Sequence, residues 1–154
     1  MDFIRIPNLS RNYDPEWATN GLLTKAAEHI KAWIESLNIK GLKSEIITLE
    51  GKSPIVYTEV EGQLPYTIFY YGHYDKQPHM TGWYEGLSPI DPVIKDGKLY
   101  GRGGADDGYA SYGTFLSILA NQNQGIKLPK CVMITEGDEE SGSAHMPAYI
   151  EHLK

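Results

Sequence analysis

Apolar runs typical of β-strands alternate along this chain with segments whose apolar residues recur at helical spacing. Residues 66–71 and 130–135 are rich in apolar side chains, and the segment between them, at about residues 107–123, has helical spacing. Strands that alternate with long helices indicate an α/β fold. We therefore predict an α/β/α sandwich around a mixed β-sheet, in which the run 66–71 forms a central strand covered on both faces.

The other predicted elements are, in chain order, a helix from Asp14 to about residues 38–41, strands at residues 45–49 and 55–60, a long loop with short strands at residues 76–104, and a helix after Ser143. Asp14 is predicted to cap its helix because Pro15 suits the first helical position. The dipeptide Asp96-Gly97 predicts a turn within the long loop. The helix after Ser143 is expected to continue to Lys154.

Composition excludes several classes of protein. A length of 154 residues suggests about one domain, and the formal net charge of −6 argues against nucleic-acid binding, which usually needs a basic patch. No apolar run approaches the ~20 residues that span a bilayer, and the N-terminus lacks the pattern of a signal peptide. We expect a cytoplasmic protein without nucleic-acid or membrane partners; a secreted protein without its leader is the alternative. The single cysteine, Cys131, is expected to be a buried, inert thiol.

His73 and Asp75 come directly after the apolar run 66–71. Side chains two residues apart on an extended backbone point to the same side. Both residues should therefore face one site at the carboxyl end of a strand, where open α/β sheets bind ligands. Asp75 is suited to hold the second ring nitrogen of a metal-binding His73. A hydrogen-bonded pair in a loop, without any ligand, is the alternative.

A glycine-rich segment, residues 101–108, leads into the predicted helix 107–123 and contains Asp106 and Asp107. It has neither the P-loop pattern nor the dinucleotide-binding fingerprint, and its carboxylates would repel a phosphate. A cation site is the functional interpretation. Stabilisation of the helix N-terminus by the two acids is the alternative.

A cluster of acids follows the predicted strand 130–135 directly. Its members are Glu136, Asp138, Glu139 and Glu140. The spacing does not fit an EF-hand, and the position at the end of a buried strand favours a site over a solvated acidic loop. One histidine with several carboxylates at one sheet edge suits zinc or a similar cation. The excess of acids suggests two cations that share a bridging carboxylate.

Three segments, taken in order, resemble the signature of the M20 metallopeptidases: residues 72–75, 99–107 and 136–143. That family includes carnosinase-like dipeptidases, glutamate carboxypeptidases and succinyl-diaminopimelate desuccinylase, and the last segment is most similar to the carnosinase-like branch. The resemblance extends over about residues 12–154. It implies a zinc aminopeptidase/carboxypeptidase-like catalytic domain that is incomplete here. Residues 1–154 would be its N-terminal portion, without the lid or dimerisation domain and without the C-terminal catalytic segment.

The resemblance also implies a role for each of five residues. His73 would ligate one zinc ion, Asp106 would bridge both, and Glu140 would ligate the other. Asp75 would orient His73, and Glu139 would be the general base that takes a proton from a metal-bound water. The intact site would hold two Zn²⁺ ions, with Mn²⁺ or Co²⁺ as alternatives.

Two departures from the family pattern concern the surroundings of these residues. The family usually has a lysine where this chain has Gly108, and its remaining two ligands would lie beyond Lys154. The pattern further implies a cis peptide bond between Asp106 and Asp107. Exposed sheet edges, or a contact between copies, are expected where further strands would pack.

The activity implied for the intact protein is dizinc-dependent hydrolysis of an amide bond in small peptides, of the dipeptidase or carboxypeptidase type. Hydrolysis of N-acyl amino acids, by a deacylase or desuccinylase, is one alternative, and a non-catalytic truncated form is another. The isolated 154-residue chain is expected to be inactive and to bind zinc weakly, if at all. The expected partner is a small peptide or N-acyl amino acid, and a homodimer of the intact protein is left open.

Overall fold

The structure is a computed structural model that describes residues 1–154. The strands are β1 Leu42–Ile47, β2 Ile55–Val60, β3 Leu64–His73, β4 Val93–Lys95, β5 Lys98–Tyr100 and β6 Pro129–Glu136. The helices are α1 Asp2–Arg5, α2 Leu22–Ser36, α3 Tyr109–Asn123 and α4 Met146–His152. A kinked turn at Gly104–Gly108, whose backbone is not helical at Asp106 and Asp107, leads into α3, and short 3₁₀ turns lie at Arg11–Tyr13 and Glu139–Ser141.

The main sheet is mixed, as predicted. Its strands lie in the order β1-β2-β6-β3, while β4 and β5 form a separate hairpin. The β1–β2 and β2–β6 pairs are antiparallel, and β3 and β6 run parallel to each other. The parallel pair ends with His73 opposite Glu136, so the loops that follow these two strands emerge side by side.

Helices cover both faces of the sheet, which confirms the α/β/α arrangement. On one face, α2 and α3 contribute Ile30 and Phe115 to a cluster that also contains Val56 of β2. On the other face, Tyr149 of α4 packs with Ile134 of β6. Full burial of each such side chain stabilises the fold by about 1.5–3 kcal/mol, so the sheet is held firmly from both sides.

The first long helix begins later than predicted. Asp14 caps a turn instead: its Oδ1 accepts the Glu16 N–H (2.9 Å) and its Oδ2 accepts Asn20 Nδ2 (2.6 Å). Gly21 then adopts a left-handed conformation with φ of 73°, which an α-helix does not allow, and α2 starts at Leu22. The Asp14-Pro15 pair therefore marks a turn that precedes α2 and not the start of the helix.

Strand β3 lies at the edge of the sheet, so the prediction that it is central is wrong for the described residues. One side of its backbone pairs with β6 and the other side has no neighbour. Tyr66 and Phe69 are each 55% exposed, and Tyr71 is 48% exposed. An apolar run does not distinguish a central strand from an edge strand with apolar side chains. The exposed edge of the sheet agrees with the expectation from the sequence.

The last helix also differs from its prediction at both ends. Ser143 does not cap it, because the Ser143 hydroxyl donates to Glu136 (2.7 Å) and the helix begins at Met146. The helix ends at His152 and does not continue to Lys154.

Other local predictions are confirmed. The Asp96-Gly97 turn joins β4 to β5, with φ values of 52° and 72°. The peptide bond between Asp106 and Asp107 is cis, and Cys131 is buried. None of the helices combines the length and the apolar character needed to cross a bilayer.

Candidate metal centre

The three predicted clusters converge at the carboxyl ends of β3 and β6. His73 is the last residue of β3, and Glu139 and Glu140 lie just beyond the end of β6. The kinked turn before α3 brings Asp106 to the same place. The convergence follows from the parallel pairing, because loops after neighbouring parallel strands leave the same edge of a sheet.

His73, Asp106 and Glu140 form a set of potential ligands whose donor atoms all lie within 4.8 Å of one another. The His73 Nε2 atom is 3.2 Å from Asp106 Oδ1. His73 is buried, whereas the Asp106 side chain is 68% exposed, so the set is open on one side. The Glu140 Oε1 atom is buried and has no hydrogen-bond partner. One imidazole nitrogen and two carboxylates, one of them with an unpaired buried oxygen, fit a zinc-like cation.

Asp75 connects the His73 loop to the loop of the two glutamates. It is fully buried, and its carboxylate accepts the backbone N–H groups of Glu139 (3.2 Å) and Glu140 (3.0 Å). Its Oδ1 also lies 3.3 Å from His73 Nδ1, which leaves Nε2 to face Asp106. Asp75 thus contacts the His73 ring, as a residue that orients His73 would. It also binds the backbone of Glu139 and Glu140, a contact that the sequence did not predict.

The charge of the site is dominated by its acids. Burial of the His73 ring opposes protonation, but Asp75, Glu139 and Asp107 outweigh burial and raise the pKa of His73 to about 9. Burial raises the pKa of Glu140. Without a cation His73 is therefore charged at neutral pH, and a divalent cation would have to displace a proton in order to bind it.

Glu139 lies beside the ligand set without belonging to it. Its Oε2 is 3.6 Å from His73 Nε2, and its side chain is 41% exposed. A carboxylate in this position is accessible to water and close to the potential ligands, as a general base must be.

Two further residues contact the proposed ligands: Gln77, which was not predicted, and Asp107, which the sequence placed in the candidate cation segment without a separate role. Gln77 Nε2 donates to Glu140 Oε2, and Asp107 Oδ2 accepts the His73 N–H (3.3 Å). Burial raises the pKa of Asp107. Gln77 continues the alternation of His73 and Asp75, so extending that spacing by two residues would have found it.

Glu136 and Asp138, the other members of the acidic cluster, are fully buried and play structural parts. The Tyr71 and Ser143 hydroxyls both donate to Glu136 Oε1 (2.5 and 2.7 Å), and burial raises the pKa of Glu136. Asp138 is paired with Arg11. The cluster is thus divided: two acids support the loop, and two face the site.

Known proteins resemble this chain in sequence. Residues 69–154 match the sequence profile of Peptidase family M20/M25/M40. An uncharacterised metallohydrolase of Methanocaldococcus jannaschii is 31% identical, over 97% of this chain and 37% of the relative. A succinyl-diaminopimelate desuccinylase of Helicobacter pylori (strain Shi470) is 34% identical, over 61% of this chain and 24% of the relative. The chain thus spans well under half the length of these relatives.

Solved structures resemble its fold. The M20 family metallo-carboxypeptidase Sso-CP2 from Sulfolobus solfataricus superposes with a TM-score of 0.81 at 26% identity, covering 97% of this chain and 32% of that protein. The dipeptidase Dug1p from Saccharomyces cerevisiae gives 0.75 at 25% identity, covering 97% and 33%. Human carnosine dipeptidase 1, at 24% identity, shares the fold with a TM-score of 0.76 over 97% of this chain and 33% of that protein.

Proposed function

The chain belongs to peptidase family M20/M25/M40, and from that premise we propose that it is the N-terminal part of the catalytic domain of a metal-dependent amide hydrolase. The observation that carries the proposal is the convergence of His73, Asp106 and Glu140 within 4.8 Å. Since the chain spans only 32–37% of three of its relatives, a lid or dimerisation domain and a C-terminal catalytic segment would belong to the rest of the protein.

In this proposal His73 would hold one zinc ion, Glu140 would hold the other, and Asp106 would be a ligand shared by both. Bound there, the ions would polarise the carbonyl of the scissile amide and lower the pKa of a water molecule. The unpaired Glu140 Oε1 supports this assignment, because a buried carboxylate oxygen without a partner is costly unless a cation neutralises it. Co²⁺ and Mn²⁺ accept the same ligand types.

The protein's own contribution to the reaction is the placement of proton-transfer groups. Glu139 takes a proton from the attacking water and passes it to the leaving amine. Asp75 keeps His73 Nε2 directed at Asp106 and holds the backbone of Glu139 and Glu140 through two hydrogen bonds. A base whose own backbone is fixed by Asp75 loses little freedom when the substrate binds.

Small peptides are the proposed substrates. The support is the similarity to a metallo-carboxypeptidase and a dipeptidase at 25–26% identity with TM-scores of 0.75–0.81. N-acyl amino acids are the second candidate, supported by desuccinylase relatives that are 28–34% identical. A panel of dipeptides, C-terminally blocked dipeptides and N-succinyl amino acids, assayed on the whole protein, separates the two classes.

The decisive experiment compares Glu139→Gln with the wild type in the whole protein. Loss of at least ~100-fold in kcat, the contribution expected of a general base, with full zinc content would support the assignment. Wild-type hydrolysis by the variant would refute it. The 154-residue chain should show no turnover on the same panel, and zinc titration by calorimetry should find weak binding that His73→Gln abolishes.

A further inference from the structure

An N-terminal strap, residues Phe3–Asn12, lies against the loops that carry the proposed ligands. It precedes residues 69–154, which match the family profile, and it takes no part in the chemistry proposed above. The Lys76 N–H donates to Asn8 O (3.1 Å), and the Ser10 N–H donates to Lys76 O (3.0 Å). The strap is thereby joined to the backbone directly after the His73 loop.

The side chain of Lys76 reaches from that loop into the strap. Lys76 is 1% exposed, and its Nζ donates to the carbonyl oxygens of Phe3 (2.9 Å), Ile4 (3.3 Å) and Ile6 (2.6 Å). The same Nζ lies 4.3 Å from the centre of the Phe3 ring. An apolar side chain could fill this space but could not donate to these carbonyl groups. The Phe3 carbonyl also accepts the Ile6 N–H (3.2 Å), so the carbonyls of Ile4 and Ile6 depend most on Lys76.

The segment that leads to Asp106, residues 101–106, is the second of the three loops, and it contacts Lys76 and the strap residue Ile4. A Cβ atom at Gly103 would lie 2.6 Å from Lys76 Cε, and a Cβ at Gly101 would lie 2.5 Å from Ile4 Cγ2. Only glycine permits contacts this close. The backbone that leads to Asp106 is therefore in direct contact with the Lys76 stem and with the strap.

The other end of the strap contacts the third loop, which follows β6 and carries Glu139 and Glu140. The hydroxyls of Ser10 and Ser141 are hydrogen-bonded (2.6 Å), and Arg11 pairs with the buried Asp138. Ser141 immediately follows Glu140. The strap thus touches all three loops from which the proposed ligands extend.

We propose that Lys76 is a positioning residue for the metal site. Its Nζ binds the strap and its stem supports the second loop, so that the separation between His73 and Asp106 is fixed before a cation arrives. This inference rests on the proposed function for the identity of the site. It adds a residue that touches neither ligand, and whose effect on the metal passes through the backbone.

The test uses the 154-residue chain with Co²⁺ as the probe and compares the wild type with Lys76→Met, which keeps the length of the stem and removes the ammonium. We expect Co²⁺ affinity to fall about 10–100-fold, the range seen when a residue that supports metal ligands is changed. The visible absorption of bound Co²⁺ should also change, because it reports ligand geometry. In the metal-free protein, the amides of His73 and Gly108, which bond to Asp107 and Gly103, should exchange hydrogen faster.

Two control variants separate positioning from a general loss of stability. Lys130→Met makes the same change near the amino end of β6, far along the strand from the site, and should leave affinity and spectrum unchanged. Ile30→Ala weakens the core of α2 and should speed exchange through global unfolding without altering the Co²⁺ spectrum of the folded protein.

Each outcome decides one of the two proposals. A folded Lys76→Met protein with wild-type Co²⁺ affinity, spectrum and amide exchange overturns the positioning role. If the wild type shows no saturable Co²⁺ binding, the idea that His73, Asp106 and Glu140 hold a cation without further ligands is refuted. Amide exchange then decides the role of Lys76: wild-type exchange at His73 and Gly108 in the Lys76→Met protein overturns it.

Discussion

Replacing Asp75 by asparagine should weaken both the fold and the metal site. Asp75 is fully buried and accepts two backbone N–H groups, from Glu139 and Glu140, while its Oδ1 faces His73. Asparagine has nearly the same shape but only one acceptor oxygen. Its NH₂ group would face an N–H donor, so one hydrogen bond is lost. The remaining hydrogen bond would be to a neutral oxygen in place of a carboxylate oxygen.

The size of the effect follows from these contacts. A hydrogen bond to a charged group contributes about 1.5–3 kcal/mol, and weakening the second bond adds roughly 1 kcal/mol. We expect the free energy of unfolding to fall by about 2–4 kcal/mol, a large part of the ~5–15 kcal/mol that holds a typical domain together. Zinc affinity should fall about 10–100-fold, and the pKa of His73 should fall from its value of about 9 because its main carboxylate partner is gone.

Urea unfolding in the presence of a chelator gives the stability, and an NMR titration of the His73 ring gives its pKa. Ile30→Ala is the matched control, because truncation of a buried isoleucine costs a similar ~2–5 kcal/mol at a position in the α2 core. The control should keep the pKa of His73. If Asp75→Asn unfolds at the same urea concentration as the wild type, or leaves the His73 pKa unchanged, the reasoning fails.

Other predictions concern two glycines and two titrating side chains. Gly108→Ala should destabilise the protein strongly, since its Cβ would lie 2.5 Å from the Phe3 ring and from a backbone oxygen, whereas Gly113→Ala, with open space around it, should stabilise α3 by up to ~1 kcal/mol in urea unfolding. In metal-free protein, the raised His73 pKa (6.5 to about 9) makes the folded state bind the extra proton, so its contribution to stability is complete below pH 6.5 and is lost as pH rises through about 9. Burial lowers the pKa of Lys76 from 10.5 to about 7, so the unfolded state binds the extra proton and stability rises with pH across that window. As pH rises from 7 to 9, the Lys76→Met variant, in which the His73 effect remains, should therefore lose stability, and the His73→Gln variant, in which the Lys76 effect remains, should gain it. Each slope is at most ~1.4 kcal/mol per pH unit. Urea midpoints that do not change with pH in either variant would contradict these assignments.

The place of the site was predictable because it follows from a general rule about sheets. His73 is the last residue of β3, the acidic cluster begins with the last residue of β6, and Asp106 lies in the turn that leads into α3. Loops in those positions share one edge whenever the two strands are parallel neighbours. The sequence pattern indicates which residues lie at the end of a strand or before a helix. The family resemblance indicates which of the acids would face the site.

Long-range burial was not predictable. Lys76 looks like an ordinary loop lysine in sequence, and it is buried only because the strap, some seventy residues earlier, folds over it. The sequence alone could not distinguish Asp138 from Glu139, since the partner of Asp138, Arg11, lies 127 residues earlier. Local rules also failed at Asp14, where a good capping signal was followed by Gly21 in a left-handed conformation.

The strand order has a consequence for how the chain folds as it is synthesised. β2 and β3 are separated by only residues 61–63, yet they do not pair, because β6 lies between them. The gap must stay open until Pro129–Glu136 leaves the ribosome, which at ~5–20 residues per second takes on the order of seconds. During that interval the edges of β2 and β3 that β6 later pairs are unsatisfied, and the ligand set is not assembled. A cation could therefore bind only after the last strand is in place, and its binding would stabilise the finished fold without guiding its formation.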